Sequence, residues 1–558
     1  MHKVHNMSNS KKHLLLESIF NNIKKNIYLY ALIILCIIFV LAKLVFLNHN
    51  PVWDESVYLG MGKYIYSQGN TGLWEMIRPL GLPVISGMFW KLGLNQVIAS
   101  RLFSVLISVG CIIFTFLIAK ELFNKKHAIL SALILACTPI FFYYSDYVLT
   151  DHISTLFLIA SVFFIIKEKF ILAGILGGLT FWFKFTHILY IGAIILFIVY
   201  KIIILKNRKN ISKYIYTLVI ISVFIASYFL SNYLLYHNHL GPINSILKPY
   251  TDAAKYSNNP YQNNYFTNFS EFIYYPCYYI YNIMLNNLYG SMIYLFFLIY
   301  LMSCFEFFKK ENHAFIMILF ITYLAYFSFI PYKNERFEIF FLPIMTIYAA
   351  YGVIKIIENI HSKYIKYNKY HKYPKFYKKN KTLIKTKSEF KKSKKINKKQ
   401  NHKTYQRYIL FGILLLLFSI LIISLFSVSI HKISQFYKWK QGDEKLNYNI
   451  EKYMDIYMNS NNISGIILTT DPRFVVYSEK HYIGAYDVLN TKGLFVNDWE
   501  SNNNFSAIIY NDKVIPCYDS DSNCMSHKRA LLDMINQDFV KKDSYIYHNS
   551  EVIFYIRK

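Results

Sequence analysis

The sequence predicts a mainly α, polytopic membrane helix bundle followed by a small C-terminal α/β domain. Three observations carry that prediction. Apolar stretches long enough to cross a bilayer recur from Ile27 onward. Basic residues collect in alternate loops between them. The tail from Lys438 turns polar and alternates strand-like and helix-like segments. The chain is 54% hydrophobic yet carries a formal charge of +29, a combination that suits a membrane protein with basic cytoplasmic loops. Because that charge sits in short loops between apolar runs, it does not form a nucleic-acid-binding surface.

Hydropathy gives about 11 spans. They are Ile27–Leu47, Val97–Ala119, His127–Tyr144, His152–Ile166, Phe170–Phe185, His187–Leu205, Tyr214–Tyr236, Tyr281–Phe308, Ala314–Ile330, Glu338–Ile357 and Tyr408–Ile430. Basic clusters occur at Lys11–Lys25, Lys120–His127, Lys167–Lys169, Lys201–Lys213, Lys309–Lys310 and His361–Arg407. All fall on one side if the N-terminus is cytoplasmic, as the positive-inside rule requires. In Ser362–Arg407, Glu389 is the only acid. The expected organisation is a membrane domain over 1–430, with a basic cytoplasmic loop at 361–407, and an extracellular domain over 431–558.

The opposite face gathers the residues able to do chemistry. Asp54 and Glu55 follow the first span in Asn50-Pro51-Val52-Trp53-Asp54-Glu55. Carboxylates are costly beside lipid, so the pair reads as functional. The segment Ser56–Gln68 suits an amphipathic interfacial helix, and Arg78-Pro79 precedes a second apolar helix, Val84–Leu94. A guanidinium at headgroup level can hold a phosphate bidentately, although snorkelling to ordinary lipid is the simpler use. Asp146, Asp151, Lys184 and Arg336 enter from later loops on the same side.

The acidic pair, Arg78-Pro79 with Pro83 in the same loop, and Ala99-Ser100-Arg101-Leu102-Phe103-Ser104 opening the second span resemble the GT-C class of integral-membrane glycosyltransferases. The nearest branch is that of the protein O-mannosyltransferases and lipid A aminoarabinose transferases. Tyr147-Val148-Leu149-Thr150-Asp151, Gly174–Leu179 followed by Lys184, and Asn334-Glu335-Arg336-Phe337 with Leu342-Pro343 extend the resemblance over the first 360 or so residues. The long basic loop and Arg78, where some relatives carry lysine, depart from it.

The resemblance implies an inverting transfer of a sugar from a polyprenyl-phosphate-linked donor to an outward-facing protein, glycan or lipid acceptor. On that reading Asp54 and Glu55 form the catalytic pair, with Asp54 the general base and Glu55 orienting the acceptor or a helix end. Arg78, Arg336 and Lys184 hold the donor phosphate, and Asp151 positions Lys184, the acceptor or a divalent metal cation. No cofactor is certain, a divalent cation being the one left open. The partners are the lipid-linked donor, the acceptor and membrane lipid. The rival readings are a transporter or flippase for a lipid-linked sugar, and a non-catalytic membrane scaffold.

Asp519-Ser520-Asp521 matches a metal–nucleotide pattern but has no nucleotide-binding unit before it. A loop closed by a Cys517–Cys524 disulfide is the better reading if the tail faces an oxidising exterior. Gly60-x-Gly62 lacks the preceding strand of a dinucleotide site. A cysteine placed within Lys391–Lys399 is expected to react only with cytoplasmic reagents, and one near Asn502 only from outside. Impermeant-maleimide labelling of intact cells checks both.

Overall fold

The computed structural model describes residues 26–49, 51–75, 77–236, 310–329, 334–372, 463–484, 505–511, 522–547 and 550–558, besides isolated residues at 243, 430, 431 and 434. The expected spans Tyr281–Phe308 and Tyr408–Ile430, all but the start of the 361–407 loop, and the Cys517–Cys524 pairing lie outside the described residues.

The first span is α1 (Asn26–Leu44), which leaves Ile34, Ile38, Leu41 and Val45 exposed as an apolar face suited to lipid. The loop after it holds α2 (Trp53–Tyr66), the two-residue strand β1 (Gly72–Leu73) and α3 (Gly81–Lys91). The bundle continues with α4 (Gln96–Leu122), α5 (Lys125–Cys137), α6 (Pro139–Tyr144), α7 (Thr150–Ile166) and α8 (Phe170–Phe183). Next come α9 (Leu189–Ile203), α10 (Ile211–Tyr236), α11 (Glu311–Phe329) and α12 (Leu342–Lys372). The expected span His127–Tyr144 is broken at Thr138, because Pro139 has no N–H to continue the ladder and instead opens α6 at its first position.

Four of the described helical segments are long and apolar enough to cross a membrane: Asn26–Leu44, Gln96–Leu122, Phe185–Ile203 and Ile211–Leu234. The apolar helices α7 and α8 are shorter. Helix α8 packs between α7 and α10, and its glycines permit the close approach. A Cβ on Gly178 would lie 2.5 Å from Cβ of Phe224, and one on Gly174 2.8 Å from Cβ of Ile220.

The tail builds β2 (Ile466–Thr469), a 3₁₀ turn at Pro472–Tyr477, β3 (His481–Gly484), β4 (Phe505–Asn511), α13 (Ser522–Asp538), β5 (Phe539–Tyr547) and β6 (Ser550–Arg557). The stretch Tyr545–Ile556, which continues the strand-like alternation of the tail, takes in the end of β5 and most of β6, two antiparallel strands rather than one. The six-stranded sheet has the order β1-β3-β2-β4-β6-β5. Strands β1, β3, β2 and β4 run parallel, and the hairpin adds antiparallel to β4. One edge therefore comes from the first loop, with Gly72 N–H donating to the Lys480 carbonyl at 2.9 Å. Gly72 stands at φ +90°, and a Cβ there would lie 2.3 Å from the Gly60 carbonyl, so glycine alone fits.

Helix α2 is not the surface helix that its amphipathic pattern suggests. Every residue from Glu55 to Lys63 is buried. The tail covers its second face: Val57 and Met61 share a core with Ile467, Phe474 and Val475. On another side α2 crosses α3 backbone to backbone, because a Cβ on Gly87 would lie 2.3 Å from the Gly62 carbonyl. Gly87→Ala is therefore expected to cost about 1–3 kcal/mol through overpacking. Gly192→Ala, where a Cβ meets nothing within 4 Å, should be neutral or mildly stabilising. The shift in Tm of the two purified variants checks the contrast.

Candidate active site

Asp54 lies in the first turn of α2, where the helix dipole favours an anion. Two arginines from distant loops meet it. Arg78, just beyond β1, places Nη2 2.8 Å from Oδ1, and Arg336, in the 3₁₀ turn Glu335–Phe340, pairs through Nη1 with Oδ2. Asn334 caps that turn by accepting from the Arg336 N–H at 3.1 Å, fixing where the arginine emerges. Arg78 is braced by Glu75, with Nε 3.1 Å from Oε1, and its guanidinium lies 5.6 Å from the centre of the Tyr58 ring.

Burial alone would push the Asp54 carboxyl up, but Arg336 and Arg78 overcome it and hold the group well below the usual carboxylate range. A depressed pKa means that the pairing stabilises the fold above the ordinary carboxylate pKa. That contribution disappears only as pH falls through the lowered value. The three side chains nevertheless remain partly open, at 17–20% exposure, so a ligand can reach them.

Next to this triad, Lys184 at the end of α8 lies 2.5 Å from Asp151 Oδ1 in the first turn of α7. Its ammonium stands over Phe337 and Phe340, 4.8 and 4.6 Å from the ring centres. The Arg336 guanidinium shares the Phe337 ring at 5.9 Å, so the two cationic groups converge on one aromatic wall. Asp54, Arg78, Arg336, Lys184 and Asp151 thus form one cluster of two acids and three bases.

Glu55, expected beside Asp54 to orient the acceptor or a helix end, turns away from the cluster. Its side chain is fully buried and faces Arg101 of α4, with Nε to Oε1 at 2.9 Å and Nη2 to Oε2 at 3.1 Å. The same carboxylate accepts the backbone N–H of Val52 and of Val148, each at 3.3 Å. Arg101 in turn donates to the carbonyls of Leu47 and His49 at 2.8 and 2.5 Å. Every oxygen of Glu55 is engaged, which leaves it the work of fixing a helix end. Asp146, also on the expected face, is fully buried against Lys43 Nζ at 3.0 Å rather than in the cluster.

The sequence reading gave no site role to Arg101, Tyr58 or Glu75. Arg101 had a usable signal, an arginine inside an otherwise apolar span; Tyr58 and Glu75 had none apart from proximity to Asp54 and Arg78. Among the described residues, no group of three or more His, Cys, Asp or Glu side chains is placed to hold a metal ion.

Comparison with known proteins bears on this geometry. The model of the dolichyl-phosphate-mannose-protein mannosyltransferase family matches residues 78–231, a stretch containing Arg78, Asp151 and Lys184. Among solved structures, ArnT from Cupriavidus metallidurans bound to undecaprenyl phosphate superposes with a TM-score of 0.56 at 11% identity, covering 95% of this chain and 97% of that one. The chain has the GT-C fold. A second GT-C structure is the oligosaccharyltransferase AglB from Archaeoglobus fulgidus, in complex with an inhibitory peptide and a dolichol-phosphate. It superposes with a TM-score of 0.53 at 10% identity, covering 95% of this chain and 74% of that one. The same archaeal enzyme tethered to an acceptor peptide gives a TM-score of 0.54 at 10% identity, with 95% and 76% coverage. A comparison with curated proteins finds no match.

Truncating Glu55 to Ala would strand the buried Arg101, and removing one partner of such a pair costs about 3–5 kcal/mol. Asp54→Ala, at a partly open position, should lower Tm by much less. Thermal unfolding of both variants in the same detergent measures the difference.

Proposed function

We propose that the chain is a membrane glycosyltransferase that moves a sugar from a polyprenyl-phosphate-linked donor to a hydroxyl of an outward-facing protein, glycan or lipid acceptor, with inversion. The observation that carries this reading is the Asp54–Arg78–Arg336 triad, a partly open carboxylate held between two guanidiniums from separate loops. The ligands bound in those GT-C structures, undecaprenyl phosphate and dolichol-phosphate, support a lipid-phosphate donor. The family-model match supports sugar transfer as the chemistry.

In the proposed reaction the acceptor heteroatom attacks the anomeric carbon, and the bond from that carbon to the phosphate oxygen breaks. The acceptor proton passes to Asp54, and the polyprenyl phosphate leaves with the electron pair of the broken bond. Arg78 and Arg336 are the phosphate clamps, with Lys184 beside them. Planar guanidiniums suit bidentate contact with phosphate, and their charge offsets the negative charge that builds on the leaving group. Asp151 holds Lys184 in position.

The ion pairs give this scheme a sequence of events. While both arginines rest on Asp54, its carboxylate is a poor base. A donor phosphate competes for the same guanidiniums, and as they turn toward it Asp54 regains basicity. Donor binding therefore arms the base before the acceptor is attacked.

Asp54→Asn should lower turnover about a hundredfold or more, the scale of general-base catalysis, while donor affinity rises rather than falls, because the carboxylate no longer competes for the guanidiniums. Arg78→Ala should weaken donor binding and slow turnover together. The acid limb of kcat, which reports the donor complex, should lie at higher pH than that of kcat/KM for the donor, which reports the free enzyme. Release of polyprenyl phosphate from a panel of lipid-linked sugars provides the assay. Near-normal turnover by Asp54→Asn would remove Asp54 as the base, and no release from any donor would remove the transferase reading.

A further inference from the structure

A cavity of about 640 Å³ opens beside α2, away from the Asp54 cluster. Asp54 and Lys63 are nine positions apart on α2, about two and a half turns, so they project from opposite faces. Lys63 lines the cavity together with the segment after α1, the end of α3, the start of α4, the end of the Pro472–Tyr477 turn and Glu479 beyond it. Its size is within the roughly 300–1,000 Å³ typical of ligand pockets.

The chemistry of the walls restricts the occupant. The cations are already neutralised. Lys63 Nζ donates to the carbonyls of Val476 and Ser478 at 2.9 and 3.0 Å and pairs with Glu479 at 3.0 Å. Arg101 is held by Glu55. No uncompensated positive charge remains among these two to draw a phosphate. Gln96 supplies the opposite demand. Its amide NH₂ is committed to the Leu59 carbonyl at 2.9 Å, and its buried Oε1 has no hydrogen-bond partner. An occupant that brings a hydroxyl donor would satisfy that oxygen.

Trp90 forms another wall, its indole N–H fixed on both Glu479 oxygens at 3.1 and 3.2 Å. A clamped indole offers a flat apolar face beside a carboxylate, which fits the C–H face and hydroxyls of a pyranose. At the rim Leu94 and Ile98 are 51% and 40% exposed, and the exposed apolar side chains continue down α4 through Leu102 and Leu106. A hydrocarbon chain can lie along that track.

From this we infer a second binding site, separate from the transfer site, for a neutral glycosyl lipid whose sugar enters the cavity and whose acyl chain lies along α4. The inference rests on the cavity alone and survives or fails independently of the transferase reading.

The test uses the full chain in phosphatidylcholine nanodiscs doped with either monoglucosyl diacylglycerol or phosphatidylglycerol. Lipid retained on release is counted by native mass spectrometry. The glucosyl lipid is expected to be retained in preference. Gln96→Leu and Trp90→Leu should each weaken retention roughly tenfold, the scale of one lost polar contact. Asp54→Asn should leave it unchanged. If Gln96→Leu does not fold, Trp90→Leu at its half-buried position decides alone. Equal retention of phosphatidylglycerol, or retention that survives Trp90→Leu, overturns the proposal. Displacement of the lipid by free maltose at comparable concentration would show a sugar site and overturn the lipid assignment.

Discussion

The Glu55–Arg101 ion pair is the interaction on which the described part of the site depends. It is fully desolvated, so its Coulombic gain must first offset the cost of removing two charges from water. What makes it favourable is the number of further groups it satisfies. Glu55 closes the N-terminus of α2 through the Val52 N–H and reaches the 147–149 turn through the Val148 N–H. Arg101 binds the last carbonyls after α1. Four segments of the chain therefore meet at one pair of side chains. Asp54 is the neighbour of Glu55, and its direction of projection is set once Glu55 is fixed. A mobile loop carboxylate would not hold two arginines in register; a helix end anchored from three sides can.

Much of this was legible in the sequence because its causes are local or periodic. Hydropathy located the helices α1, α4, α7, α8, α9, α10 and α11 within a few residues. Loop charge placed Asp54, Arg78, Asp151, Lys184 and Arg336 on one face, and the structure brings these five together. The partnerships were less visible. Nothing in the order Asp54-Glu55 says which carboxylate turns outward to the loop arginines and which turns inward to α4. That is decided by rotation of α2, about 100° between consecutive residues, and by the packing that fixes it. Asp146 was expected on the same face as these five but pairs with Lys43, because the pairing depends on how α1 leans against the α6–α7 turn.

The tail shows the same limit in another form. Its alternation of strands and helix was readable, yet the sheet is not confined to the tail. Gly72–Leu73 is too short to register as a strand by any periodicity, and it forms one only because β3 offers a parallel edge. The buried face of α2 has the same explanation. Its apolar stripe suggested a lipid surface, and the surface it meets is the core of the sheet. In both cases a tertiary partner far along the chain decides what a local pattern becomes.

That edge strand sets an order of assembly. Arg78 reaches Asp54 from the end of β1, and β1 has a partner only when His481 and Tyr482 are in place. Those residues are made about four hundred positions after β1. During synthesis the first loop must wait with an open strand edge while the whole bundle is threaded. Strand pairing over that distance ties the site to the tail: the arginine that meets the carboxylate is supported by a strand that has a partner only once β3 has been made.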